Sequence, residues 1–349
     1  MQLQICRQQS SMACAAASLP LAARIVPAMP RLQRMGPVVR SSGISINPTM
    51  PPATNIQNGH TPAPPVMAPA APPEAPPPPG VLPPLAAYNN VVNTGAAKAG
   101  MPVWKTFLMG TMAGIYISFG GFLAVTTATM CAGLGVTSPI LTRMLMGALF
   151  PFGLLITLVC GAELYTGNTA FVAAAVMEKK ASVKDLLKNW TFSYLGNLVG
   201  SLAMVGLVAA TGLLATSAVP ANMAVAKTSL TFGQALVRGL LCNWLVVSAV
   251  WMASAATSLS GKMLAAYLPV MAFIALGLEH SVANMFFCSL GIVQGAPVSV
   301  ADFVVRNLVP VTLGNTLAGC VCMAGAYALC FGAAGKALSA PPAPKPAAA

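Results

Sequence analysis

The sequence has few charged side chains, and acidic ones are the scarcest. Charged residues make up 7% of the chain and only six residues are acidic, whereas soluble domains carry about 25% charged residues. Hydrophobic residues account for 56%, and the mean hydropathy is +0.75. This balance excludes the common classes of soluble enzyme and indicates a protein that crosses a membrane several times.

Residue patterns for metal, redox and nucleic-acid chemistry are also missing. The nine cysteines contain no C-x-x-C pair, and most lie in apolar segments, where cysteine is a small packing residue. Of the two histidines, only His280 lies in the hydrophobic region. The formal charge of +12 includes five arginines in the first 40 residues, and membrane topology accounts for most of the rest. We therefore predict no enzymatic activity, no cofactor, no metal site and no nucleic-acid partner.

The ends of the chain differ in composition from its middle. Residues 1–60 carry five arginines and no acidic residue, which is typical of an organelle transit peptide; a secretory signal and a plain disordered tail are the alternatives. Residues 61–100 are rich in proline and alanine, and we expect a disordered linker there. Residues 101–335 should form the membrane domain, and residues 336–349 a disordered C-terminal tail.

Six apolar segments lie within the membrane domain, and a crossing needs about 20 such residues. The second and fifth segments are interrupted by a glutamate, and the pieces after the break are too short to span alone. We therefore predict an all-α membrane protein of six transmembrane helices, with the second and fifth helices broken. The segments are 106–132, 144–177, 189–216, 239–260, 263–290 and 307–332.

Both interruptions carry the same eight-residue pattern. Residues 161–168 read GAELYTGN and residues 277–284 read GLEHSVAN. Irregular backbone at membrane depth is tolerated only against protein or a water-lined cavity, and ionisable groups there indicate function. We expect the carboxylates to accept hydrogen bonds from backbone amides freed by the breaks. The residues expected to support the broken helices are Glu163, Asn168, Glu279 and Asn284.

The repeat continues beyond these octapeptides. Residues 188–197 match residues 306–315, with Lys-Asn or Arg-Asn followed by Leu-Gly-Asn. Two halves of three crossings each enter the membrane from opposite sides, so they form inverted repeats with a pathway between them. Six crossings put nine lysines on the side of both termini and four basic residues on the other. The positive-inside rule then places the termini on the stromal, matrix or cytoplasmic side.

Four stretches together resemble the formate/nitrite transporter family: GAELYTGN at 161–168, Asn243-Trp244 with Trp251, GLEHSVANMF at 277–286, and NLVPVTLGN at 307–315. The resemblance covers about residues 102–334, and the leader makes the chain similar to plastid nitrite transporters of algae. It implies an aquaporin-like protomer in a homopentamer, embedded in membrane lipid. The implied function is proton-coupled transport of small weak-acid anions, with nitrite import through the plastid inner envelope membrane.

The resemblance also assigns roles to individual residues. The family's central pore histidine falls on His280, its hydroxyl partner on Thr166, and its pore asparagines on Asn243 and Asn315. The basic vestibule residue falls on Lys227, which would attract anions. Tyr165 stands where phenylalanine is more usual, so its phenol either eases anion passage or points away. The apolar constrictions fall on Phe150, Leu154, Leu164, Tyr165, Val246 and Phe273.

His280 is favoured as a functional residue because its repeat counterpart is Leu164, so packing does not require a histidine. Desolvation disfavours a charged imidazolium. We therefore expect a neutral ring, oriented by Thr166, Asn243 and Asn315, that gives a hydrogen bond or a proton to an approaching anion. Two routes remain open. The anion is protonated before it crosses, by bulk-derived protons or through His280, or it crosses as an anion.

Two further alternatives share much of this pattern. A formate channel of the same family has the same motifs, and the mitochondrial inner membrane is the alternative location. An aquaporin-like channel for neutral solutes would show paired Asn-Pro-Ala turns. This chain has Thr-Gly-Asn168 and Val-Ala-Asn284 in their place.

Overall fold

The computed structural model describes residues 80–339, and this range consists of helices and loops with one isolated β-bridge between Val81 and Ala256. The predicted transit peptide, most of the predicted linker and residues 340–349 lie outside the described residues. In chain order the helices are α1 Pro84–Ala99, α2 Val103–Gly133, α3 Pro139–Val159, α4 Tyr165–Met177, α5 Val183–Ala210, α6 Val219–Thr228, α7 Phe232–Ala255, α8 Leu259–Leu276, α9 Ser281–Val293, α10 Val300–Phe331 and α11 Ala333–Ser339.

Six of these helices are long and apolar enough to cross a membrane, namely α2, α3, α5, α7, α8 and α10. They contain 18 to 32 residues, and a crossing needs about 20. Helices α4 and α9, of 13 residues each, continue α3 and α8 after a break. The predicted all-helical architecture with broken second and fifth crossings is therefore confirmed within residues 80–339.

The two halves repeat one packing pattern. Helix α2 packs along α5 as α7 packs along α10, and α1 packs on α4 as α6 packs on α9. Between the halves, α9 contacts α5 and α4 contacts α10. Each half-helix is thus held against a long helix of the other repeat. The repeating unit has five helices, because α1 and α6 precede the three crossings of their halves.

Glycines let the long helices of each half approach closely. A Cβ on Gly196 of α5 would lie 2.5 Å from the carbonyl oxygen of Phe107 on α2. A Cβ on Gly314 of α10 would lie 2.1 Å from the carbonyl oxygen of Leu236 on α7. Neither position has room for a side chain. Small residues at crossing points are a common feature of membrane helices, because lipid tails give no hydrophobic force that drives helices together.

The prediction of a disordered linker up to residue 100 is wrong for its last part. Residues 84–99 form α1, which begins at a proline and buries one apolar face, including Tyr88, Val91 and Val92. The Tyr88 hydroxyl donates a hydrogen bond of 2.7 Å to Glu178. Proline is favoured at a helix start, and the helical spacing of the apolar residues provides a face to bury. The overall proline and alanine content concealed that spacing.

The C-terminal boundary also needs correction. Helix α11 extends to Ser339, so residues 336–339, which were predicted to belong to a disordered tail, are helical. The backbone amide of Ala333 donates a hydrogen bond of 3.1 Å to Glu178 at the end of α4. This contact ties the start of α11 to the membrane domain.

Candidate functional site

Both broken crossings contain a glycine in the left-handed conformation just after the first half-helix. Gly161 has φ 76° and Gly277 has φ 72°. Residues with a Cβ rarely adopt this conformation. The glycines therefore end α3 and α8 and turn the chain into short loops, from which α4 and α9 begin at Tyr165 and Ser281.

Two buried asparagines bind the backbone of these loops. Asn197 on α5 accepts a hydrogen bond from the Tyr165 amide at 2.9 Å and donates to the Glu163 carbonyl at 2.9 Å. Asn315 on α10 makes the equivalent contacts with the Ser281 amide at 2.9 Å and the Glu279 carbonyl at 3.2 Å. Backbone groups at membrane depth need such partners because no water is available.

The Glu279 carboxylate lies in a buried network of side chains. Lys227 Nζ is 3.1 Å from both carboxylate oxygens. The amides of Asn284 and Asn307 donate to the same carboxylate at 2.7 and 3.2 Å. The expectation that backbone amides bind this carboxylate is therefore wrong. Lys227, which was expected to attract anions at a vestibule, forms an ion pair, and Glu279 balances its charge.

The first half contains the same network around Glu163. Lys98 of α1 forms an ion pair with the carboxylate, and the amides of Asn168 and Asn189 donate to it at 2.8 and 3.4 Å. Sequence reasoning assigned no role to Lys98. A signal was available, because Lys98 and Lys227 each stand five residues before the start of a membrane helix, at positions 103 and 232.

His280 immediately precedes α9, and both of its ring nitrogens are engaged. Its Nδ1 accepts a hydrogen bond of 3.1 Å from the Ala283 amide, which caps the helix. Its Nε2 lies 2.9 Å from Thr166 Oγ1. An acceptor role at Nδ1 leaves the ring proton of a neutral imidazole on Nε2, since the partner of one nitrogen determines the tautomer. Nε2–H therefore donates to Thr166, and this contact joins the two breaks.

Asn243 lies next to this pair, and within residues 80–339 none of its hydrogen bonds goes to the ring. Its amide donates to the Thr166 carbonyl at 3.2 Å, to Thr169 Oγ1 at 3.1 Å and to the Asn315 carbonyl at 2.6 Å. Its Oδ1 is buried and has no hydrogen-bond partner among residues 80–339. The expectation that Asn243 and Asn315 orient the histidine directly is wrong. They fix the backbone around it, and Ala283 determines the tautomer.

Apolar rings cover one side of the His280 ring. Phe273 stacks on His280 with a centroid separation of 5.8 Å, and Phe150 meets Phe273 edge-on at 5.6 Å. The other expected constriction residues are also buried. They are Leu154, Leu164, Tyr165 and Val246.

Tyr165 differs from these residues in its direction. Its hydroxyl is 2.8 Å from Thr316 Oγ1 on α10, and its ring lies 4.9 Å from the Tyr194 ring on α5. The phenol therefore faces the seam between α5 and α10. Of the two orientations considered from the sequence, the one that points away from the histidine agrees with these contacts.

Cavities are present at both ends of α3. At its C-terminal end, a cavity of about 330 Å³ reaches the first break and is lined by Lys98, Leu164 and Lys262, among others. At its N-terminal end, a cavity of about 610 Å³ is lined by Arg143 together with residues of α2 and α6. We call these two cavities the mouths of the bundle; one lies near each break. The buried contact between Thr166 and His280 connects the breaks. This arrangement defines a membrane transport protein built from inverted repeats.

Comparison with known proteins identifies the family. Residues 85–329 match the formate/nitrite transporter family. The chain is 38% identical over 244 residues to a probable formate transporter of Methanothermobacter thermautotrophicus, covering 65% of this chain and 88% of that protein. It is 33% identical over 262 residues to the formate channel FocA of Escherichia coli (strain K12), covering 68% and 90%. The chain belongs to the formate/nitrite transporter family and is a transport protein, not an enzyme.

Solved structures agree with this assignment. An FNT family ion channel matches with a TM-score of 0.63 at 30% identity, covering 73% of this chain and 99% of that one. A pentameric formate channel with formate bound matches with a TM-score of 0.58 at 32% identity, covering 66% and 97%.

Proposed function

We propose that this protein carries small monovalent anions of weak acids across a membrane, along a path whose midpoint is the Thr166–His280 pair. The observation that carries this proposal is a hydrogen-bonded polar pair, buried beside phenylalanine rings, that joins two broken helices. A buried polar pair has no packing benefit over two apolar side chains. The names of two relatives, a probable formate transporter and a formate channel, support the substrate class.

In this proposal His280 acts as a neutral donor. Its Nδ1 lone pair is occupied by the Ala283 amide, so a second ring proton would break the cap of α9. A positive ring would also stand at a helix N-terminus, where the helix dipole favours negative charge. Nε2–H donates to Thr166 Oγ1, which leaves the threonine hydroxyl proton free to donate to an acceptor oxygen of the passing substrate. Proton donation by His280 itself is the less favoured of the two roles.

A protonated substrate fits the surroundings of this pair better than a bare anion does. Removal of a small anion from water into an apolar constriction costs many kcal/mol unless it is paired. The unpartnered Oδ1 of Asn243 is an acceptor in the same cluster. It would accept a hydrogen bond from the O–H of a neutral acid and would repel an anion. We therefore propose that a proton from the bulk solution joins the anion in a mouth.

The pH dependence of uptake tests this route. With nitrite or formate at fixed total concentration, initial uptake into proteoliposomes should rise about tenfold for each unit by which the external pH is lowered, as the neutral acid fraction does. An anion current that does not change with pH would contradict the protonation step. Water flux without flux of either anion would contradict the proposed function as a whole and favour an aquaporin-like channel.

Nitrite import into the plastid is the particular role that we propose. It is supported by the composition of residues 1–60, which is arginine-rich and free of acidic residues. Formate is the second candidate, supported by the names of two relatives, a probable formate transporter and a formate channel. A fluorescent fusion of residues 1–100, imaged in plant cells, distinguishes plastid from mitochondrion. Uptake of nitrite and formate measured side by side distinguishes the substrates.

We also propose that five protomers assemble in the lipid bilayer, each with its own path. The support is the similarity to a pentameric formate channel. Cross-linking in native membranes, followed by denaturing electrophoresis, should show a ladder that ends at five protomers. A ladder that ends at two or three would contradict the pentamer.

A further inference from the structure

The cations near the transport path fall into two kinds. The partly buried lysines, Lys98 and Lys227, are ion-paired with the buried Glu163 and Glu279. Each of these pairs is close to electrically neutral and is held further by asparagine amides. A neutral pair gives little field in the mouth beside it, so another group is needed if the mouths are to concentrate anions.

Each mouth also contains one cation without an ionic partner among residues 80–339. Lys262 lines the 330 Å³ cavity and Arg143 lines the 610 Å³ cavity. Both residues are exposed, and neither takes part in an ion pair within the described range. No acidic side chain lines either cavity. The unbalanced charge of each mouth therefore comes from a single residue.

These two residues occupy similar places in the inverted repeat. Lys262 is the fourth residue of α8 and Arg143 is the fifth residue of α3, and α3 and α8 are the first halves of the two broken crossings. The guanidinium of Arg143 also lies beside the second break, because a Cβ on Gly277 would be 3.4 Å from Arg143 Nη1. The similar placement gives each end of the path one exposed positive charge.

We propose that Lys262 and Arg143 are the anion-capturing residues of the two mouths, and that Lys98 and Lys227 serve to hold the broken helices. This inference rests on the proposed transport of small monovalent anions. A positive charge at a mouth with apolar walls raises the local concentration of anions and the rate of their entry. It acts before the substrate reaches Thr166 and His280.

The test uses Lys262→Gln and Arg143→Gln, with uptake measured in inside-out and right-side-out membrane vesicles. Lys262→Gln should raise the half-saturating nitrite concentration about threefold to tenfold when nitrite is added on the side of the termini. Arg143→Gln should do so from the opposite side. Each variant should leave the maximal rate unchanged, because capture precedes the crossing step.

Salt provides a second readout. The Debye length falls from about 30 Å at 0.01 M to about 3 Å at 1 M ionic strength. The difference between wild type and each variant should therefore disappear at high salt. The matched controls are Lys105→Gln and Arg238→Gln, which remove exposed charges that line neither cavity. We expect both controls to behave as the wild type.

The outcomes separate this inference from the proposed function. Absence of nitrite and formate uptake by the wild type would overturn both. Wild-type uptake with unchanged half-saturation in Lys262→Gln and Arg143→Gln would overturn the capture role alone. A loss that persists at high salt, or that appears equally from both sides, would also overturn it, because damage to the fold gives that pattern.

Discussion

Replacement of Thr166 by valine removes one hydroxyl with almost no change in volume. That hydroxyl lies 2.9 Å from His280 Nε2, and the two side chains are 0% and 3% exposed. Removal of the hydroxyl leaves the buried Nε2–H of His280 without a partner, which costs about 1–3 kcal/mol. If this loss falls on the crossing barrier, at about 1.4 kcal/mol per factor of ten, uptake slows about 5- to 150-fold. We expect this reduction in stopped-flow uptake of both nitrite and formate into proteoliposomes.

Two further variants test whether the loss is caused by the missing hydroxyl and whether it is specific to position 166. Thr166→Ser retains the hydroxyl and should recover most of the uptake. Thr312→Val makes the same chemical change in another hydroxyl pair, where Tyr194 Oη is 3.0 Å from Thr312 Oγ1, and should leave uptake within about twofold of wild type. Uptake by Thr166→Val that equals wild type would refute the role of the hydroxyl. An equal loss in Thr312→Val would refute its specificity.

Two other predictions concern the scaffold. Gly314→Ala would place a methyl group 2.1 Å from the Leu236 carbonyl oxygen, so the melting temperature of this variant in detergent should fall sharply. The control is Gly206→Ala, where nothing lies within 4 Å and the melting temperature should equal that of the wild type. Equal melting temperatures of the two variants would refute the close packing at Gly314. Glu163→Gln leaves the partly exposed Lys98 without its ionic partner and should lower the free energy of unfolding by up to about 3 kcal/mol, because water still reaches the lysine. The double variant with Lys98→Met should regain most of that loss in denaturant unfolding, whereas no recovery would show that the ion pair is not its cause.

The membrane crossings and their breaks could be predicted because both depend on local sequence. Apolar length determines which segments cross, and glutamate within an apolar run marks where a crossing stops being regular. The repeat of residues 161–168 in residues 277–284 located both breaks. The pairing of Thr166 with His280 came from the family resemblance, and the two side chains do lie in contact in the structure.

The partners of the carboxylates could not be predicted in the same way. Glu163 meets Lys98 across 65 residues of sequence and Glu279 meets Lys227 across 52, and hydropathy does not reveal such pairs. Lys98 was also placed in a segment judged disordered from its composition. Tyr88 and its neighbours are buried because α1 packs against other helices. A local sequence pattern does not show such tertiary contacts.

The duplicated lysine, glutamate and asparagine networks have a consequence for the direction of flow. Because the same network supports both breaks, the scaffold itself favours neither direction of flow. The protein would set how fast nitrite or formate equilibrates, and the concentrations of anion and acid in the two compartments would decide which way it moves.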